Sequence, residues 1–178
     1  MSGLTYLLNG KVYDFLDEYF EKKRYEKIRK NMLSMLNGKI LDAGCGTGRN
    51  FPYYRKSALV IAVDSSENML KEARKRAENL SNIDIKKMDI TKLEFKDNSF
   101  DNVVATFVLC TLPEKFEKSA LNELLRVAMP NSNLYFLEYA YSKNPARRFF
   151  MKLTSPISKL FYGIRFDSTL PILRKDQD

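Results

Sequence analysis

Histidine is absent from all 178 residues. That removes the commonest general base and the commonest metal ligand. Any proton removal falls to a carboxylate, a tyrosine, a lysine or water. Only two cysteines occur, Cys45 and Cys110. They form neither a disulfide framework nor a zinc site, and both read as small packing residues. No compact cluster of oxygen ligands stands in the sequence, so no metal is expected. Nor is there a run of 18 apolar residues, so no transmembrane helix is expected. No basic region precedes a long apolar stretch at the start, so no secretory signal is expected either. A cytoplasmic location is expected, and there are no repeats or low-complexity linkers. Glycine is scarce, with seven in the chain, yet three fall within five positions.

Those three lie in Leu41-Asp42-Ala43-Gly44-Cys45-Gly46-Thr47-Gly48. A short apolar run ends in an acid, and alternating glycines come next. After a second apolar run comes Asp64, about 20 residues on, where an acid can hold a ribose. A dinucleotide loop would be spaced G-x-G-x-x-G and would seat a pyrophosphate. Here the spacing is G-x-G-x-G, and Asp42 pointing at the loop would repel a pyrophosphate. It would suit a ligand with an ammonium and a sulfonium, as in S-adenosylmethionine (SAM). A P-loop is excluded, because no G-K-[ST] comes after the glycines.

Three more strand ends converge on the same place. Val60-Ile61-Ala62-Val63-Asp64 puts Asp64 where a carboxylate accepts from both ribose hydroxyls. Residues 82–88 alternate as a third strand, with Asp89 at its end. Asp89 can accept from an adenine amino group between the apolar neighbours Met88 and Ile90. Residues 100–106 read as a fourth strand running on into Phe107-Val108-Leu109-Cys110. Ligands of open α/β sheets sit outside the carboxyl ends of the strands.

These segments together resemble the class I SAM-dependent methyltransferases. L-D-A-G-C-G-T-G matches their glycine motif and A-V-D-S-S-E-N-M-L their second-strand motif. M-D-I matches their third-strand motif and F-D-N-V-V-A-T-F-V-L-C-T-L their fourth. L-N-E-L-L-R-V-A-M-P matches their helix-to-fifth-strand segment. The resemblance runs from about Lys39 to Glu138 and leans toward the quinone-biosynthesis and phospholipid methyltransferase branch. It implies an α/β, Rossmann-like fold: a mostly parallel sheet with helices on both faces. It implies SAM as cofactor and S-adenosylhomocysteine as product. The implied cofactor contacts are Asp42, Gly44, Cys45, Gly46, Asp64, Ser65, Met69, Met88, Asp89, Ile90, Thr106 and Phe107. Tyr13, in a Tyr-Asp pair typical of such N-terminal helices, is either a contact to the methionine end or core packing. Glu138, ending the fifth strand, is either an acid that orients or deprotonates the acceptor or a structural residue.

One domain is expected over 1–178: a helical cap at 1–38, a SAM-binding core at 39–139 and a basic segment at 140–178. In the cap, Tyr25, Ile28, Met32, Leu33 and Leu36 share an apolar face, and Asn37-Gly38 is placed as a C-cap. The charges of Glu21 to Lys30 read as a solvated face. Helices are expected at 66–80, with Leu70, Ala73, Ala77 and Leu80 inward, and at 114–128, with Phe116, Ala120, Leu121, Leu124 and Leu125 inward. Pro130 stops the second, and the fifth strand is expected at 133–139.

Asn144-Pro145 and Ser155-Pro156 then start helices. Residues 143–165 hold six bases and no acid. Phe149, Leu153, Ile157 and Phe161 share one face. The segment suits an anionic membrane surface, a cover over the acceptor pocket, or plain packing on the sheet. The family's usual hairpin of strands six and seven is missing before Asp178. An open sheet edge is therefore expected, covered by these helices, a second subunit or residues beyond this chain.

The expected function is methyl transfer to a small-molecule or lipid-like acceptor, of the quinone or phospholipid type. A non-catalytic SAM-binding regulatory subunit is one alternative. An RNA methyltransferase is another, prompted by the net charge of +8. It is disfavoured because Thr106-Phe107-Val108-Leu109 stands where base-methylating enzymes carry [N/D/S]-P-P-[Y/F/W].

Overall fold

A computed structural model describes residues 25–139 and, beyond them, 141, 143–146, 148, 149, 151–153 and 155. Tyr13, the helices expected before residue 25, and residues 156–178 lie outside the described residues. The described part is built on a parallel sheet of β1 (Lys39–Ala43), β2 (Leu59–Asp64), β3 (Ile83–Lys87), β4 (Phe100–Thr106) and β5 (Ala128–Leu137). The strand order is β3-β2-β1-β4-β5. The chain builds outward from β1 to one side, then returns to build the other. The reversal leaves a crevice at the carboxyl ends of β1 and β4.

Both faces of the sheet are covered, so β1 and β2 are largely apolar, as buried parallel strands are. Side-chain alternation sorts them. Leu41 and Ala43 join Ile61, Val63 and Val103 in one core, beneath Ala120 and Leu124 of α3 (Glu114–Val127). Ile40 joins Val60 and Ala62 in the other. That second core is closed by Leu33 of α1 (Glu26–Leu33) and by Leu70 and Ala73 of α2 (Glu67–Arg76). Asp42 has the parity of Ile40, so it is carried to the side of α1 and α2.

Several boundaries depart from the sequence expectation. α3 passes straight into β5 at Ala128, five residues before the strand start expected at Asn133. Pro130 falls where the β4–β5 register is irregular, between the pairs of Phe100 and Asn102. A residue without an N–H is tolerated at such a place. β4 ends at Thr106 instead of running on. Phe107 turns the chain with φ 57°, and a short 3-10 turn comes next at Leu109–Thr111. After the glycine loop comes only a 3-10 turn, Phe51–Tyr53, holding Pro52.

α1 departs furthest. Ile28, expected inward, is 41% exposed, while Arg29, expected on the solvated face, is 4% exposed. α1 also ends at Leu33, before the C-cap expected at Asn37-Gly38. On α3, Phe116 is turned outward. Among the described residues β5 pairs on one side only, and no further strand comes after it. Among them, too, no helix is long and apolar enough to cross a membrane.

Candidate cofactor site

The crevice has two halves that share Gly44 and Phe107. One half is lined by Asp64, Ser65, Asp89, Ile90, Val108, Thr111 and Leu112. The other is lined by Arg29, Cys45, Gly46, Thr47, Arg49, Met69 and Thr106.

Asp64 is buried and held from both sides. The Gly46 amide donates to its Oδ2 at 2.9 Å and the Ser66 amide to its Oδ1 at 2.8 Å. Burial raises its pKa above the ordinary carboxylate range, and these amides pull it part of the way back. Each carboxylate oxygen accepts more than one hydrogen bond, so a pair of ribose hydroxyls still finds acceptors there. Asp89 is exposed. Its Oδ1 accepts from the Thr91 amide and hydroxyl, both at 2.8 Å, which fixes its direction. Ile90 is buried beside it, and Met88 packs against the core one residue before. Ser65 lines the half of these acids.

The glycine loop makes the floor. The Cys45 amide donates to the Val63 carbonyl at 2.9 Å, tying the loop to β2. Gly44 has φ 67°, and a Cβ there would lie 2.5 Å from Val108 Cγ2. Gly46 has φ 56°, and a Cβ there would meet nothing within 4 Å. The first glycine is demanded by the protein's own packing. The second borders open space, which is the signature of a backbone cradle kept bare for a ligand. The residues present suit SAM: Asp64 and Asp89, with apolar Ile90 beside them, would hold its nucleoside, and the bare loop would leave room for its sulfonium. Cys45 and Met69 are buried in the floor of the other half, and burial pushes the Cys45 thiol well up.

Asp42 sits further back than the sequence suggested. It is fully buried and lines neither half. Both its oxygens accept from the Asn50 amide nitrogen, at 2.9 and 3.1 Å. Asn50 Oδ1 accepts from Arg29, which also donates to the Thr106 hydroxyl at 3.0 Å. Asn50 Nδ2 and Thr106 Oγ1 are 3.2 Å apart. Burial lifts the Asp42 pKa to about 6, against the lowering effects of Asn50, the nearby Tyr54 hydroxyl and Arg29. Neither Arg29 nor Asn50 was legible as a site residue. The only signal was an arginine at an a-type spacing from Leu33 and Leu36, which the surrounding charges masked.

Phe107 is the wall between the halves. A bulky residue at positive φ costs roughly 1–2 kcal/mol, so the surroundings must hold it. Its amide donates to the Leu137 carbonyl at 2.7 Å. Its ring stacks on Tyr139 at 4.5 Å and meets the edge of Tyr25 at 4.8 Å, with the Arg29 guanidinium 5.3 Å from its centroid. Glu138 braces the same turn. Its Oε1 accepts from the amides of Val108 and Leu109, at 3.0 and 2.9 Å, and its Oε2 from Cys110 at 3.1 Å. Burial raises its pKa, and the Cys110 thiol with those amides lowers it again. Glu138 lines neither half, and in this arrangement it anchors the turn.

A family model described as a methyltransferase domain matches residues 40–131. The demethylmenaquinone methyltransferase of Staphylococcus epidermidis is 31% identical over 172 residues, covering 92% of this chain and 66% of that protein. The phosphatidylethanolamine N-methyltransferase of Cereibacter sphaeroides is 32% identical over 112 residues, 61% of this chain and 54% of that protein. The chain therefore spans just under two thirds of the length of the first of these relatives. Among solved structures, a SAM-dependent methyltransferase from Aquifex aeolicus superposes with TM-score 0.62 at 26% identity, over 78% of this chain and 77% of that one. A putative methyltransferase from Methanococcus maripaludis gives TM-score 0.65 at 20% identity, over 84% and 72%. The matched segment takes in the whole glycine loop and all three strand-end acids, and on that ground the chain belongs to the SAM-dependent methyltransferase family.

Proposed function

We propose that this chain transfers a methyl group from SAM to a hydrophobic acceptor of the quinone or phospholipid type, at the surface of an anionic membrane. The observation that carries the cofactor half is the bare space at Gly46 beside the doubly held Asp64. SAM supplies the activated methyl group on its sulfonium. The residues of the chain supply position and a water-poor setting, and near-attack placement alone is worth roughly 7–11 kcal/mol. Asp64 and Asp89 fix the nucleoside. Phe107 and its stacked partner Tyr139 give an apolar, aromatic flank where an acceptor ring or lipid portion can lie.

The names of the two relatives support that acceptor class, one acting on a quinone and the other on a phospholipid. The membrane location is supported by the chain after β5. The Arg148 amide donates to the Asn144 carbonyl at 2.9 Å, and the described residues from 145 onward are helical. Phe149 and Leu153, four apart, are each 65% exposed, with Arg148 and Lys152 exposed beside them. A two-fold partner across β5 is a further proposal, prompted by its single neighbour among the described residues.

The test is transfer of labelled methyl from SAM to a demethylated naphthoquinone, to phosphatidylethanolamine and to RNA, side by side. Label is expected in a lipid-soluble product and is expected to vanish with Asp64→Ala. Label in RNA alone, or SAM binding with transfer to none of the three, overturns the reading.

A further inference from the structure

The two halves of the crevice differ in charge. The half of Asp64 and Asp89 holds two acids and no base. The half of Arg29 and Arg49 holds two bases and no acid. A ligand matched to it carries donors at one end and an anion at the other.

Arg29 is the more deliberate of the two bases. Desolvating a guanidinium is costly unless it is paired and hydrogen-bonded. The other charged residues of its helix, Glu26, Lys27 and Lys30, are exposed, yet this side chain is buried and pinned through Nη1 to Asn50 and Thr106. Asn50 stands between the buried base and the buried acid. Its amide nitrogen serves Asp42 and its carbonyl oxygen serves Arg29, the one orientation that satisfies both. The charge of Asp42 is thereby used to hold a cation in the crevice wall.

We propose that Arg29 binds the carboxylate at the amino-acid end of the cofactor, and that Asn50 is the positioning residue that aims it. This rests on the SAM reading above. The geometry makes the carboxylate, and not the ammonium, the group recognised by charge in this half.

The experiment is calorimetric titration of the full chain with S-adenosylhomocysteine, its decarboxylated analogue and 5′-methylthioadenosine, which lacks the whole amino-acid end. The unaltered chain should prefer S-adenosylhomocysteine to both by roughly 10- to 100-fold, the worth of a charged hydrogen-bonded contact. Arg29→Met should remove that preference and leave methylthioadenosine binding within about twofold. Asn50→Leu should do the same, since a merely structural role would weaken all three ligands alike. Lys30→Met, at an exposed base on the same helix that lines neither half, serves as the contrast and should keep the preference.

Equal binding of all three ligands by the unaltered chain overturns the inference without any variant having to fold. So does an Arg29→Met chain that keeps the preference. If none of the three binds at all, the SAM reading itself has failed.

Discussion

Gly44 and Gly46 are two residues apart, both at positive φ, and they should fail differently. Alanine at either costs roughly 1–2 kcal/mol for a left-handed backbone. At Gly46 nothing lies within 4 Å of the added carbon, so the fold loses little more. At Gly44 the added carbon lies 2.5 and 2.8 Å from the two methyls of Val108, which is itself 7% exposed. Overpacking of that kind adds about 1–3 kcal/mol. Gly46→Ala should therefore lower the melting temperature by about 2–8 °C, and Gly44→Ala by roughly twice as much, at about 2–4 °C per kcal/mol for a chain of this size. Binding should weaken at both. The methyl at Gly46 enters the ligand's space, and a misfit of about 1–3 kcal/mol weakens S-adenosylhomocysteine by about 5- to 150-fold. Urea unfolding and calorimetry on the same preparations separate the two effects. Gly46→Asn sharpens the comparison, since asparagine tolerates this backbone yet fills the same space. If Gly46→Ala bound S-adenosylhomocysteine as the unaltered chain does, the loop would not be the cradle. If the two alanine variants were equally stable, the Val108 contact would not be what Gly44 is for.

Two further outcomes are expected. Asp42 in the fold binds its proton with a pKa of about 6 against an ordinary 3.8, so the folded state holds more protons than the unfolded one between those values. Stability from this group is full below the lower value and is lost as pH rises through about 6, by up to about 3 kcal/mol. The buried Asp64 and Glu138 shift in the same direction. The urea midpoint should be higher at pH 5 than at pH 7.5, and Asp42→Asn should flatten the slope; a midpoint that falls on acidification refutes it. For the membrane proposal, the chain should sediment with anionic vesicles at low salt and release at high salt, each base near the bilayer being worth roughly 1 kcal/mol. Phe149→Ser with Leu153→Ser should weaken that and leave S-adenosylhomocysteine affinity unchanged; absence of sedimentation at low salt removes the proposal.

The parts of the site that were legible are those whose signal is local. Asp64 ends an apolar run and Asp89 an alternating one, and Gly44 and Gly46 come just after an apolar run, so strand end and turn could be read from neighbours in sequence. Arg29 and Asn50 could not. Arg29 sits in a stretch of six bases and two acids, and its burial is decided by partners 21 and 77 residues away. Phe107 looked like more strand because Phe-Val-Leu is apolar, whereas the chain turns there under long-range constraints: Leu137, Tyr139 and Glu138. Asp42 was read as an acid pointing at the loop; the parity of β1 carries it toward α1, where it is fully buried and lines neither half, and that shows only once the register of β1 is known.

Three amide hydrogens converging on Glu138 hang one wall of the crevice from the outermost described strand. A push on the outer side of β5 is thus delivered to Val108 without passing through the glycine loop. The acids of the half that Val108 lines are carried by the ends of β2 and β3, while the turn at 108–110 that closes it is held by the residue after β5. A change against β5 would therefore be felt at the Val108 wall, which faces the same half of the crevice as Asp64 and Asp89.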